Sequence, residues 1–402
     1  MIMKEPLIRF QYFNEPWVDS ICGDLFIERV EKNILAEMLS VTMNKGVIKA
    51  SENGRCDTSS TDKSHYKLVK IGDIAYNTMR MWQGASGVSI YEGIVSPAYT
   101  VIEPTKSIDA NFFACLFKTP KALQNFRINS QGLTSDTWNL KYPLFSKIKL
   151  SHPSDIKEQQ TISAWFKSLE DKINTTSDKL SSLRQVKIAS LQAMFPQKGK
   201  SVPKIRFKGF DQEWKKSKLN DFLIVSKLKN KEGSFTKDDV LSVSREYGIV
   251  NQIAFQGRSF AGASVLNYGV VEHKNIVYTK SPLKNNPYGI IKANLGEAGI
   301  VSTLYAVYKC CQNIDALFVQ YYFESDDRLN AYLRPLVRKG AKNDMKVSAE
   351  GALLGNVIFP SYEEQKQIAL FFSTIDKQIS LEEQKLESLK RIKSACLDKM
   401  FC

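Results

Sequence analysis

The chain repeats itself once, and that repeat leaves few folds open to it. Pro6, Arg9, Phe10, Phe13 and Trp17 recur as Pro203, Arg206, Phe207, Phe210 and Trp214, every one displaced by 197 positions. In mid-domain, Gly93, Ile94, Val95, Ser96, Tyr99 and Val101 recur as Gly299, Ile300, Val301, Ser302, Tyr305 and Val307, displaced by 206. The third block comprises Glu158, Gln159, Phe166, Ile173, Leu180, Leu183, Lys187, Leu191, Met194 and Phe195. It returns, also displaced by 206, as Glu364, Gln365, Phe372, Ile379, Leu386, Leu389, Lys393, Leu397, Met400 and Phe401. A period of about 200 residues is far longer than that of a solenoid and implies a duplicated domain, which suits a chain of 402 residues. Between the blocks the halves diverge: Met79-Arg80-Met81-Trp82-Gln83 faces nothing similar in Ser281-Pro282-Leu283-Lys284-Asn285. Each half keeps a frame and changes its contents.

In the third block Ile162, Phe166, Leu169, Ile173, Leu180 and Leu183 trace the seam of an amphipathic helix, and Ile368, Phe372, Ile375, Ile379, Leu386 and Leu389 repeat the same steps. Neither Pro nor Gly interrupts Gln159 to Phe195 or Gln365 to Phe401. A heptad-like stripe wants a partner helix, and the most economical partner for each copy is the other, which predicts an antiparallel pair. A helix from Gln159 to Phe195 would span about 55 Å, a ruler that could hold two modules over sites one DNA turn apart, roughly 34–36 Å. A plain dimerisation coiled coil is the bland alternative.

The punctuated basic segment Pro196-Gln197-Lys198-Gly199-Lys200-Ser201-Val202-Pro203 ends the first helix and opens the second globule. The expected divisions are a first globule over 1–155, a helix and linker over 156–200, a second globule over 201–360 and a second helix over 361–402. Within the globules, Lys67 to Tyr76, Gly93 to Ile102, Asn275 to Thr279 and Gly299 to Tyr308 read as strands, and Asp109 to Phe117 and Ile314 to Phe323 as helices. The fold class is therefore α+β: two mixed α/β domains separated by two long antiparallel coiled-coil helices, a pseudo-twofold internal repeat.

The formal net charge of +14 points to a polyanionic partner, although a basic excess can also serve solubility alone. No segment approaches the ~20 apolar residues of a membrane span, and Met1 to Phe13 lacks the apolar stretch of a signal peptide, so a cytoplasmic protein is expected. Cys22, Cys56, Cys115, Cys310, Cys311, Cys396 and Cys402 show no metal-ligand pairing and read as reduced, mostly buried thiols. His65, His152 and His273 are too scattered to form a metal cluster, so none is expected.

Together these residues resemble the specificity subunits (HsdS family) of bacterial type I restriction-modification enzymes, across nearly the whole chain. The resemblance lies in the Pro-x-x-Arg-Phe-x-x-Phe…Trp entries at Pro6 and Pro203 and in Gly-Ile-Val-Ser-Pro-x-Tyr at Gly93 to Tyr99. The second copy has Thr303 and Leu304 where Pro97 and Ala98 stand. It continues in Pro-x-x-x-Glu-Gln at Pro360 to Gln365, present with one extra residue at Pro153 to Gln159, and in Leu-x-x-Met-Phe at Leu191 and Leu397. The resemblance implies that each variable half is a target recognition domain reading one half of a split double-stranded DNA target, while the helices set the unread gap. It implies a non-catalytic chain without a cofactor of its own, which joins two methylation subunits and optionally two restriction subunits. S-adenosylmethionine, ATP and magnesium would sit on those partners, and two identical partners suit the pseudo-twofold arrangement.

Base readers should lie in the divergent loops. In the first half these offer Asn77, Arg80, Trp82 and Gln83, then Ser130, Gln131, Ser135, Asp136 and Trp138; in the second, Lys280, Lys284, Asn285, Asn286 and Tyr288, then Arg338, Lys339, Lys342, Asn343 and Lys346. The repeated aromatics Phe10, Trp17, Phe207 and Trp214 read as core. Asn285-Asn286-Pro287-Tyr288 imitates the Asn-Pro-Pro-Tyr motif of adenine methyltransferases but has Asn286 where proline belongs. Gly199-Lys200-Ser201 imitates a phosphate loop but follows a helix, with Met194 at the first glycine. Asp211 with Glu213-Trp214-Lys215 could suggest a nuclease site, at spacings that arise often by chance. A self-sufficient methyltransferase or nuclease, or a coiled-coil scaffold that binds no DNA, remain the competing readings.

Overall fold

The structure, a computed structural model, describes residues 5–33, 36–54, 62–105, 107–262, 264–280, 282–283, 285–339 and 345–402. Its contacts divide into two compact units, Met1–Ser177 with Gln384–Cys402, and Asp178–Glu383. The division cuts across chain order, because each unit takes part of both long helices.

In the first unit, β1 (Val18–Ile21) pairs antiparallel with β10 (Lys149–His152), bringing the two ends of the globule together. The short α1 (Cys22–Leu25) leads into β2 (Phe26–Glu28). That strand edges an antiparallel sheet with β6 (Ile74–Asn77), β7 (Ser86–Val88) and β9 (Tyr99–Pro104), in the order β2-β9-β6-β7. Two ribbons accompany it: the hairpin β3 (Leu39–Thr42) with β4 (Gly46–Lys49), and β5 (Lys67–Val69) with β8 (Gly93–Val95). The single strand expected from Lys67 to Tyr76 is thus two strands in different sheets, split at a turn where Gly72 takes φ +93°. The one expected from Gly93 to Ile102 breaks likewise at Ser96, whose carbonyl accepts from Tyr99 N at 3.0 Å.

Helices α2 (Ala110–Leu116), α3 (Pro120–Ile128) and α4 (Tyr142–Phe145) complete this core. Asp109 and Thr119 cap the first two through their side chains, and Pro120 opens α3 where a missing N–H costs nothing. Phe26, Phe112, Phe113, Phe117, Phe126 and Phe145 are completely buried together.

The second unit repeats this plan. Strand β11 (Lys215–Lys218) pairs with β22 (Asn356–Phe359), and β12 (Leu223–Val225), β16 (Ile276–Tyr278), β17 (Ile291–Ala293) and β19 (Ala306–Cys310) form a sheet in the order β12-β19-β16-β17. The ribbons are β13 (Leu241–Ser244) with β14 (Gly248–Asn251), β15 (Gly269–Val271) with β18 (Gly299–Val301), and β20 (Arg338–Lys339) with β21 (Met345–Lys346). Helices α6 (Gln252–Gln256), α7 (Ala316–Tyr322) and α8 (Asp326–Leu333) complete it.

The repeated glycines have a steric reason. A Cβ at Gly93 would meet Glu37 O at 2.5 Å and Leu39 Cγ at 2.6 Å; at Gly299 it would meet Asp239 O at 2.6 Å and Leu241 Cγ at 2.8 Å. Only glycine lets the base of each hairpin cross the strand beneath it.

The long helices are α5 (Ile156–Ala193) and α9 (Tyr362–Lys399). Ile162, Phe166, Leu169, Ile173 and Leu180 are buried on α5, and Ile368, Phe372 and Ile375 on α9; Leu183, Ile379, Leu386 and Leu389 are half-buried. In the first unit Phe166 meets Phe401 with ring centres 5.7 Å apart and Glu170 pairs with Lys393. In the second, Phe195 meets Phe372 at 5.9 Å, Lys187 pairs with Asp376 at 2.7 Å and Arg184 with Glu383 at 2.6 Å. Low positions on one helix face high positions on the other in both units, so the pair is antiparallel.

The entry motif and the Glu-Gln motif are the two halves of one joint. Arg9 donates to both carboxylate oxygens of Glu158 at 2.7 and 2.8 Å, and Arg206 does the same to Glu364 at 2.7 Å each. Gln159 accepts from Asp109 N at 2.9 Å and donates to Pro153 O at 2.8 Å; Gln365 repeats both bonds with Asp315 N and Pro360 O, each at 3.1 Å. Ile8 N donates to Lys399 O at 2.9 Å and Ile205 N to Ala193 O at 3.0 Å, so each entry segment docks on the end of a long helix. Trp17 and Trp214 are buried beside Phe401 and Phe195, and Phe10 and Phe207 pack half-buried on the same cores.

Of the cysteines, Cys22 is buried, whereas Cys115, Cys310, Cys311, Cys396 and Cys402 are only half-buried, which corrects the expectation of mostly buried thiols. Cys56 lies outside the described residues. Among the described residues no helix is long and apolar enough to cross a membrane.

Candidate nucleic-acid interface

In the first unit the two candidate loops come together. Asn77 ends β6 and accepts from Met79 N at 3.0 Å, and Trp82 Nε1 donates to Met79 O at 3.1 Å, which curls the loop into a compact turn. Further along, Gln131 and Asn139 exchange backbone hydrogen bonds of 3.0 and 2.8 Å and close the second loop. Trp82 and Trp138 meet edge to face at 5.2 Å, Arg80 stands 3.9 Å from Asp136, and Leu140 N donates to Thr78 O at 2.9 Å. The Arg127 guanidinium lies over Trp138 at 5.2 Å. Gln83, Gln131, Ser135 and Asp136 are exposed, whereas the Ser130 hydroxyl donates to Phe126 O at the end of α3.

Asn77, Arg80 and Gln83 line one side of a groove of about 1170 Å³, and the β3–β4 hairpin supplies the other with Ser40, Thr42, Asn44 and Lys45. These amides, hydroxyls and cations suit the donor and acceptor patterns of base edges. The sequence reading missed the hairpin. Leu39-Ser40-Val41-Thr42 returns as Leu241-Ser242-Val243-Ser244, a fourth repeated block that a displacement of 202 rather than 206 hid. Leu133, also missed, stands fully exposed in the second loop.

The second unit uses its candidates differently. Asn286 is 1% exposed and donates to Asp326 Oδ1 at 2.9 Å, so its amide is held within the unit. Asn285 is exposed, its carbonyl accepting from Asn330 Nδ2 at 2.9 Å, and half-buried Tyr288 accepts through its carbonyl from the Tyr278 hydroxyl at 2.6 Å. Lys280 takes φ +49°, and burial together with the nearby Lys229 ammonium pushes its pKa below the usual lysine value. The backbones of Arg338 and Lys339 pair with those of Lys346 and Met345 in the β20–β21 ribbon. Lys284, Lys342 and Asn343 lie outside the described residues. Sequence reasoning also missed an exposed aromatic group: Tyr247 at the β13–β14 turn packs on Phe255 at 5.4 Å, and Arg258 lies over Phe260 at 4.6 Å.

Among the described residues no three His, Cys, Asp or Glu side chains are disposed to hold a metal. His152 is buried, with Nδ1 donating to Pro153 O at 2.9 Å and Nε2 meeting the Ser20 hydroxyl at 3.0 Å, and burial pushes its pKa below the ordinary histidine value.

The solved structure of the type I restriction-modification S subunit from M. genitalium matches 99% of this chain and 99% of its own length, with a TM-score of 0.59 at 12% identity. The fold is that of a type I S subunit. The HsdS subunit from Thermoanaerobacter tengcongensis is similar over 96% of both chains, with a TM-score of 0.46 at 14% identity. No protein-family model and no curated protein matches the sequence. The joints of Arg9–Glu158 and Arg206–Glu364 are repeated in both units, whereas the hairpin tips differ, with Met43 in one and Arg245 in the other.

Proposed function

We propose that the chain is the DNA-recognition subunit of a type I restriction-modification enzyme, each unit reading one half of a split target. The observation that carries this reading is a frame whose Arg-Glu and Gln joints are repeated in both units, on which divergent polar loops are mounted. Two like frames suit two copies of a methylation subunit, with restriction subunits as optional further partners. The chemistry, with S-adenosylmethionine, ATP and magnesium, is assigned to those partners, and this chain acts in the cytoplasm as a non-catalytic reader. The net charge of +14 supports a polyanionic partner, whose phosphates would dominate affinity and its salt dependence.

The test is co-expression with a compatible methylation subunit in an unmethylated host, with modified adenines mapped by single-molecule sequencing. One split motif with a fixed gap is expected, and exchanging residues 1–150 should change one half only. Methylation by the chain alone would establish the self-sufficient enzyme instead, and assembly without a split motif would remove the two-reader model. In the same assay Arg80→Ala with Gln83→Ala should relax one half-motif, at about 1–3 kcal/mol per lost bidentate base contact, and leave the other intact. Equal weakening at every sequence would make these residues phosphate contacts instead.

A further inference from the structure

The residue two places beyond the end of α2 and that two places beyond the end of α7 occupy the same position of the repeat, yet one is Lys118 and the other Glu324. Both tie a hairpin tip to the frame. Lys118 Nζ donates to Met43 O, at the tip of β3–β4, at 2.9 Å and to Gly84 O, just past Gln83, at 2.5 Å. Burial, with Lys393 nearby, lowers the Lys118 pKa to about 8, so the ammonium is held where its charge is costly.

In the second unit Arg245 stands at the tip of β13–β14, the counterpart of Met43 in the Leu-Ser-Val block. It pairs with Asp326 at 2.6 Å and Glu324 at 3.4 Å and also donates to the Glu324 carbonyl. Asp326 Oδ1 accepts from Asn286 as well, so one carboxylate joins hairpin and loop, as one ammonium does in the first unit. Lys292, 4% exposed, pairs with Glu324 at 2.7 Å and anchors the cluster to the sheet. Burial alone would raise the Glu324 carboxyl, but Lys292, Lys187 and Arg245 outweigh it and hold its pKa below the ordinary value.

We propose that Lys118 in the first unit and the Glu324–Asp326 pair in the second are positioning residues, each clamping a hairpin tip to its neighbouring loop so that the two form one reading edge. This rests on the reading of the units as DNA readers. The clamp chemistry is opposite in sign while its geometry is shared, so a hairpin transplanted without its clamp should lose its register. Arg245, which by position would pass for a phosphate contact, is instead occupied by two carboxylates.

The test uses the full chain with Asp326→Ala and Lys118→Met, folding being checked by circular dichroism. Amide exchange in Leu241–Asn251 should quicken at least about tenfold in the first variant, the scale of one lost charge-assisted hydrogen bond, and exchange in Leu39–Lys49 in the second. Each variant should blur its own half of the methylated motif and spare the other, and Asp326→Asn, which keeps the acceptor, should restore part of it. Unchanged exchange overturns the clamp. So does a loosened hairpin with an intact half-motif, and so does Asp326→Ala binding DNA more tightly with full specificity, the result expected if it merely frees Arg245 for phosphate. A wild-type chain that directs no split motif overturns the parent reading and this proposal with it, and is recognised before any substitution is made.

Discussion

Glu364→Ala should lower the melting temperature of the second unit by about 10 °C, following from a cost of about 3–5 kcal/mol for breaking a buried ion pair. The Glu364 side chain is 0% exposed and Arg206 15%, so the substitution strands a guanidinium that water reaches poorly. The loss is mainly this uncompensated charge rather than the attraction itself. Replacing both partners, as in Arg206→Met with Glu364→Leu, should therefore recover much of the stability, because no orphan charge is left. Calorimetry on the full chain distinguishes the two accounts: a double variant as unstable as Glu364→Ala would show that the contact and not the stranded charge matters. Glu158→Ala should act on the first unit in the same way and more strongly, since it also removes the 3.3 Å bond from Trp17 Nε1.

Phe195→Ala should cost about 3–5 kcal/mol by emptying a site its neighbours cannot refill. The ring is completely buried and meets Phe318 at 5.8 Å, Tyr322 and Phe372 at 5.9 Å and Trp214 at 6.1 Å, while the Arg328 guanidinium lies over it at 4.8 Å. These partners come from the second entry motif, α7, α8 and α9, so one truncation loosens four segments at once. Hydrogen exchange should rise around the end of α5, α7 and the start of α9. The region around Phe401, which meets Trp17, Phe112 and Phe166 in the same way, should keep its protection. A loss below about 1 kcal/mol would mean that the aromatic cluster closes over the gap, and the Leu-x-x-Met-Phe ending would then need another explanation.

The frame was legible in the sequence because burial leaves a periodic or repeated trace. Seam residues such as Phe166 and Phe372 recur at helical spacing since one face of each helix must leave water, and Arg9, Trp17, Glu158 and Gln159 recur since one joint is built twice. What the repeat could not show was which end of which helix each joint closes. The strand readings failed where a turn intervened: Gly72 and Ser96 split single alternating runs into strands of different sheets, and alternation is blind to sheet membership.

The groove was the least legible part, for a related reason. Asn77, Arg80 and Gln83 stand out in the sequence because they follow a strand in a divergent stretch, but the hairpin that shares their groove lies some thirty residues upstream and meets them only through long-range pairing. Asn286 stands out by residue type in a divergent loop, and only the tertiary structure shows its amide held by Asp326, forty residues away.

By itself the sequence determined that the chain holds two copies of one α+β plan joined by paired amphipathic helices, because repetition and periodicity are local records of what must be buried. The tertiary structure alone decided that each compact unit takes part of both helices, that hairpin and loop converge on one groove, and that Lys118 and Glu324 fill one post with opposite charge. Those outcomes depend on which distant segments meet, and distance along a chain carries no signal of distance in space.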